Sequence, residues 1–194
     1  MAEPDPFSGP FFCLRVDLSA LPWEDAPGAA LEPVVLARLL GLGRTAGLRF
    51  HAFATPEVLR AFPAYGEVIL GEGHDLDPLG QGDFGGALPG HVPLGCAIRT
   101  GDPVPEGLAF VSGIDPFPVL PPIAGEFGAW VERTRATVRG LAARGRSATL
   151  AVPAGTWGGF DPRLDALRGV VSLAIAAGLP LRTLREVTEA HSPG

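Results

Sequence analysis

The feature that most constrains this chain is a rhythm. Short apolar, β-prone runs alternate with segments of helical period, and such an alternation folds into parallel strands joined by right-handed crossovers. "FFCLRVDL", residues 11–18, is the first run, bounded by "SGP" before it and "LPWEDAPG" after it. "LEPVVLARLLGLGRTAG" follows, with Val35, Leu36, Leu39 and Leu40 on one helical face and Gly47 as its stop. "LRFHAF" reads as a second strand. "TPEVLRAF" reads as a helix with Thr55 at the N-cap and Pro56 at the first helical position, and "EVIL", residues 67–70, as a third strand. "GLAFVSGI" and "SATLAV" are further strands, and "EFGAWVERTRATVRGLAARG" is the longest helical pattern. "PAGTWGGF" reads as a loop, and "DPRLDALRGVVSLAIAAG" as a helix capped by Asp161 and stopped by Gly178. "LPLRTLREVTEAH" gives a short strand and a closing helix, while glycines and prolines break all periodicity from Gly71 to Pro105. The class is α/β with mostly parallel strands, either an irregular barrel or a doubly wound sheet.

A chain of 194 residues suits one domain spanning 1–194, with residues 1–10 expected to be a flexible arm. Hydrophobic residues make up 46% and charged residues 19%, which excludes a disordered class. The net charge of −6, with arginine as the only basic residue type besides histidine, argues against binding a phosphate backbone. No stretch approaches the roughly 18 apolar residues a membrane span needs, and the start has no basic, then apolar, signal pattern. The expectation is a cytoplasmic protein with no nucleic-acid and no membrane partner. Cys13 and Cys96 sit in apolar stretches and are expected to be buried thiols, with a disulfide left open.

Parallel strands bring their following loops to one face. The residues expected there are Asp17, Glu24, Asp25 and His51, then Glu72, His74, Asp75 and Asp77, then Asp115, Trp157 and Asp161. They form an acidic rim with few histidines. There is no phosphate-binding glycine loop, no G-x-S-x-G elbow and no CxxC pair. "GEGHDLDPL", residues 71–79, is the pointed stretch: a histidine among acids behind an apolar run is either a mixed metal site or a solvated loop. In an extended segment Glu72 and His74 would share a side, with Asp75 opposite. Trp157, flanked by glycines, and Trp23 are sugar-stacking candidates or packing residues, whereas Trp130 belongs to a helical core face.

The order of these pieces resembles the polysaccharide deacetylases of carbohydrate esterase family 4, with the NodB-homology fold. The resemblance rests on "VDLSA" after the first strand, "GEVILGEGHDLDPL", "TLAVP" and the closing "GLPLRTLREV", and it covers most of the chain. It implies an irregular (β/α) barrel and a metal-dependent hydrolase site with an Asp-His-His metal triad, an aspartate base and a histidine acid. Asp17 falls on the base position. Ser19 falls on the metal-binding aspartate, Glu72 and Leu76 on the two histidines, and Val152 on the acid. Arg99 is either the counterpart of the arginine that orients the base or a surface arginine. No two of the four histidines, His51, His74, His91 and His191, lie four residues apart, so no register restores a His-x-x-x-His pair. A catalytic zinc wants about three good protein ligands.

Three readings follow. The first is a degenerate deacetylase-like protein without metal or other cofactor, retaining Asp17 and binding a carbohydrate-like molecule through Glu72, His74, Asp75 and Trp157. The second is an active hydrolase with an unusual site around Asp17, Glu72, His74 and Asp75. The third is an interaction or scaffold protein.

Overall fold

The structure is a computed structural model describing residues 9–21, 25, 28–80, 82–98, 103–115 and 117–191. Trp23, Glu24 and Arg99 lie outside the described residues.

The first strand is β1 (Phe12–Leu18), and all seven of its residues are buried. Its neighbours are β2 (His51–Ala54) on one side and β6 (Ala148–Pro153) on the other, both parallel. β3 (Asp75–Pro78) extends the sheet beyond β2, again parallel. β4 (Gly95–Ala97) and β5 (Phe110–Ser112) form a second parallel pair. A bridge from Leu79 to Ala97 joins this pair to β3, and Val119 bridges Thr149 on β6. Arg15 on β1 reaches across to Ser112 on β5. The strands therefore bend round an interior, and the barrel is the correct one of the two architectures expected from the sequence.

Alternation along β1 divides its side chains cleanly. Phe12, Leu14, Val16 and Leu18 face outward into the main core. The helices covering that face are α1 (Glu32–Ala46), α5 (Phe127–Ala143) and α7 (Asp165–Ala176), whose contributions include Leu39, Trp130, Val138 and Val170. Cys13, Arg15 and Asp17 face inward. Gly47 ends α1 in the left-handed conformation, with its N–H on Gly43 O, as its position predicts. Thr55 caps α2 (Pro56–Ala61) by accepting from Val58 N–H. The closing helix, α8 (Leu184–His191), packs Leu184 and Val187 against the inward Cys13, Phe53 and Phe110. Among the described residues no helix is long and apolar enough to cross a membrane.

Two elements differ from the sequence expectation. "EVIL" is not a strand: it lies on α3 (Pro63–Gly71), begun by Pro63, with Ile69 fully buried and Val68 40% exposed. The third strand is "DLDP" instead, four residues into the stretch expected to be a loop. "PAGTWGGF" is not a loop either, since Ala154–Phe160 forms α6. Its glycines permit backbone contact: a Cβ on Gly155 would fall 2.7 Å from Gly28 O. That close packing against α1's entry outweighs the glycines' poor helix propensity. α7 begins at Asp165, three residues later than expected, behind Leu164 at φ 59°.

Candidate functional site

At the C-terminal end of β1 the sequence places an acid, Asp17, on the inward face, level with Phe53 and Pro153 on the neighbouring strands. Two residues earlier on the same face stands Arg15. The two side chains meet in a forked ion pair: Arg15 Nε donates to Asp17 Oδ1 at 2.7 Å and Nη2 to Oδ2 at 2.9 Å. Arg15 Nη1 donates to the carbonyl and hydroxyl oxygens of Ser112, at 3.2 and 3.3 Å, and Nη2 also to Ile98 O at 3.3 Å. A guanidinium has five N–H donors, and these five bonds use all of them. Arg15 and Asp17 are 3% and 7% exposed, so this is a buried pair whose partners compensate its desolvation.

Above the pair opens a cavity of about 510 Å³, the size of a small-molecule site. Its floor is Asp17 and Arg15. Its walls are mostly aliphatic, with Ile98, Ile114, Val119, Leu120 and Ile123, and Thr156 also lines it. Ala151 and Pro153 of β6 also line it, whereas Val152 faces the helices and is fully buried there. Val152 therefore does not occupy the position of an acid at the cavity.

The other expected site residues do not gather here. His74 precedes β3 and lies at the N-terminal end of the sheet, remote in register from Asp17. The single acidic rim expected from the sequence is thus split between opposite strand ends. His74 stacks on Phe50 at 3.8 Å between ring centroids, and a Cβ on Gly43 would sit 2.8 Å from its Nε2. It is 4% exposed, and among the described residues neither ring nitrogen has a hydrogen-bond partner. Burial lowers its pKa below the ordinary histidine value. Glu72 sits at the end of α3 and is bound to Arg44, Nη1 to Oε1, at 2.6 Å. Asp75 points inward and accepts from Thr183 Oγ1, with Arg185 beside it. Leu76 points outward into the main core, so Leu76, Glu72 and Ser19 do not surround one vacated position. Trp157 is 0% exposed, edge-on to Trp130 and Phe127, with Nε1 donating to Asp161 Oδ2. Its whole face is spent on packing, so it is not a sugar platform.

A second inward cluster lies beside the first, with His51 in register with Arg15 and Asp77 in register with Phe53, the partner of Asp17. His51 and Asp77, both fully buried, are joined by a 3.0 Å contact between Nε2 and Oδ2. Leu184 N–H donates to His51 Nδ1, so Nε2 carries the ring proton and gives it to Asp77. Asp77 Oδ1 also accepts from Leu94 N–H and Arg185 Nη2. The dyad has the pairing of a catalytic base, but the nitrogen a base would use already holds a backbone amide. It fastens β2, β3 and α8 together. Cys13 and Cys96 are buried free thiols, as expected, and burial pushes Cys13 up to about 12, so it is not a thiolate nucleophile.

The buried His74 predicts a pH dependence. Its folded pKa lies below its unfolded value of about 6.5, so the unfolded chain binds the extra proton first. Its contribution is complete above about pH 6.5 and is lost as pH falls below that, with a limiting slope of about 1.4 kcal/mol per pH unit. His74→Leu is expected to remove this dependence in urea unfolding followed from pH 7.5 to 5. An unchanged pH profile in the variant would contradict the assignment.

A polysaccharide-deacetylase-type protein from Mycobacterium smegmatis matches with a TM-score of 0.68 at 14% identity, over 97% of this chain and 92% of its own. Another, from Pseudomonas aeruginosa PAO1, gives 0.68 at 13% identity, over 92% and 90%. A CE4-family pseudoenzyme from Bacillus anthracis gives 0.53 at 9% identity, over 93% of this chain and 66% of its own. The fold is that of the polysaccharide deacetylases. No protein-family model matches the chain, and no curated protein matches it by sequence.

The residues present do not fit the metal that this fold implies. Both oxygens of Asp17 face a guanidinium that would repel a divalent cation in a low-dielectric interior. His51 has both nitrogens engaged, and His74 lies at the other strand end. His91 Nε2 meets Leu76 O at 2.8 Å. Among the described residues no group of three or more His, Cys, Asp or Glu side chains is placed to hold a metal ion.

Proposed function

We propose that this chain is a deacetylase-fold protein that does not carry out metal-dependent hydrolysis and instead holds a small molecule in the cavity above Asp17. The observation that carries the reading is the surroundings of Asp17: an arginine, carbonyls and mostly aliphatic side chains, with no set of three His, Cys, Asp or Glu side chains beside it among the described residues. A catalytic metal wants about three good protein ligands. The residues on the remaining family positions, Ser19, Glu72, Leu76 and Val152, are scattered over a loop, a surface ion pair and the outer core. The cavity itself supports a binding role, because it opens directly over Asp17 and Arg15 with the volume of a small-molecule site.

The test is zinc content and acetate release. Protein incubated with zinc or cobalt and then dialysed is expected to carry no stoichiometric metal by atomic absorption. It is expected to release no acetate from acetylated chitooligosaccharides or acetylated xylan. Stoichiometric zinc together with turnover that Asp17→Asn abolishes would overturn the reading. The same experiment decides the alternative of an active hydrolase with an unusual site.

A further inference from the structure

We infer that the cavity above Asp17 selects a neutral, largely apolar molecule carrying one hydrogen-bond donor, such as a long-chain alcohol or a secondary arylamine, and not a sugar. The inference rests on the proposed binding role and adds the ligand's chemistry. A sugar needs many polar partners, since every hydroxyl desolvated without one costs free energy. Among the described residues the walls offer few: Ile98, Ile114, Val119, Leu120 and Ile123 dominate, joined by Ala151 and prolines, with the Thr156 hydroxyl as the one polar side chain besides the floor. An apolar body gains about 25 cal/mol per Å² it removes from water against such walls.

The floor fixes the polar end. All five Arg15 donors are satisfied within the protein, so the arginine has none left for an anionic or carbonyl ligand. Asp17 is different. A carboxylate has about four acceptor positions, and Arg15 takes one on each oxygen. The pair therefore presents an acceptor to the cavity and no donor. Its charges cancel, so the floor neither attracts nor repels an ion strongly. A hydroxyl or N–H on an otherwise apolar ligand matches it; a carboxylate, a phosphate or a polyol does not.

The probe is N-phenyl-1-naphthylamine, a neutral arylamine with one N–H whose fluorescence rises in apolar surroundings. Saturable binding is expected, displaced by 1-decanol and not by N,N′-diacetylchitobiose. The N-methylated probe, which lacks the donor, is expected to bind about 10-fold more weakly, the scale of a hydrogen bond to a charged group. Ile123→Glu, on the partly exposed wall, should weaken the parent probe at least about 10-fold by placing a charge against its apolar body. Ile114→Gln, at a residue 36% exposed, gives an independent wall variant should the first fail to fold. Thermal unfolding of each variant shows whether it is folded.

Displacement by the disaccharide would overturn the ligand class while leaving the binding role standing. Probe binding that is absent, indifferent to N-methylation, or unchanged in folded wall variants would overturn the inference as well. Zinc-dependent turnover in the acetate assay would instead remove the reading beneath it.

Discussion

Replacing Arg15 by methionine is expected to destabilise the protein by about 3–5 kcal/mol, the usual cost of leaving one member of a buried ion pair without its partner. For a chain of this length that is a fall in Tm of about 10 °C, at roughly 2–4 °C per kcal/mol. The cause is specific. Asp17 is 7% exposed and receives a bond on each oxygen from Arg15, while the Ile98 and Ser112 carbonyls also accept from the guanidinium, the latter together with Ile98 N–H. Removing the cation strands the carboxylate and takes a donor from both carbonyls. The double variant Arg15→Met with Asp17→Leu removes both charges and is expected to recover most of the loss, because buried pairs replaced by apolar residues of similar volume are often neutral in stability. Guanidinium chloride unfolding of the two single variants and the double gives the coupling energy. A loss under about 1 kcal/mol for Arg15→Met, or no recovery in the double variant, would show that the clamp does not hold the barrel's C-terminal end together.

The clamp also explains why a divergent sequence keeps an acid at this position without the metal chemistry around it. On β1, Arg15 and Asp17 are the inward polar residues among outward apolar ones, so their pairing follows from strand alternation alone. The sequence places both residues on one face, but its reading there went only to Asp17. Arginine two residues before an aspartate in a buried strand is the signal that was available: two opposite charges forced to one side of a dry strand must meet each other or a ligand.

Other parts of the fold were legible for local reasons and lost for long-range ones. α1 and α2 carry their own caps, Gly47 and Thr55, and run where those residues predict. α5 declares itself by a long apolar period ending near Gly145. "DLDP" gives no such sign, since two aspartates and a proline are poor strand formers. What makes it β3 lies far off in the chain: His51, Leu94, Thr183 and Arg185 bond to its two carboxylates. "EVIL", apolar and short, could be strand or helix by pattern, and Pro63 at the helix start decides it. With the strand moved from 67–70 to 75–78, His74 passes from the end of a strand to the start of one. That single shift sends the expected metal loop to the wrong end of the barrel. It also answers what "GEGHDLDPL" is: a turn with a buried histidine, followed by a structural strand.

Asp77 tests that answer. Asp77→Ala is expected to cost about 3–5 kcal/mol, since it leaves the buried His51 N–H, the Leu94 amide and Arg185 without their shared acceptor. Asp77→Asn is the sharper variant. Asparagine has one acceptor oxygen where Asp77 uses two, and Leu184 N–H holds His51 in the tautomer with its proton on Nε2. Whichever way the amide turns, its NH2 faces a donor: His51 Nε2–H on one side, or Leu94 N–H and Arg185 on the other. A near-isosteric change is therefore expected to cost about 1–3 kcal/mol. The imidazole nitrogens of His51, observed by ¹⁵N-resolved NMR, should show the Nε2-protonated ring in the parent. Asp75 offers the contrast, because it is partly exposed and its bond to Thr183 can be replaced by water. Asp75→Asn is expected to fall within about 1 kcal/mol of the parent. If Asp77→Asn matched the parent while Asp75→Asn unfolded the protein, the fastening role would belong to the other carboxylate, and the way β3 is held would have to be redrawn.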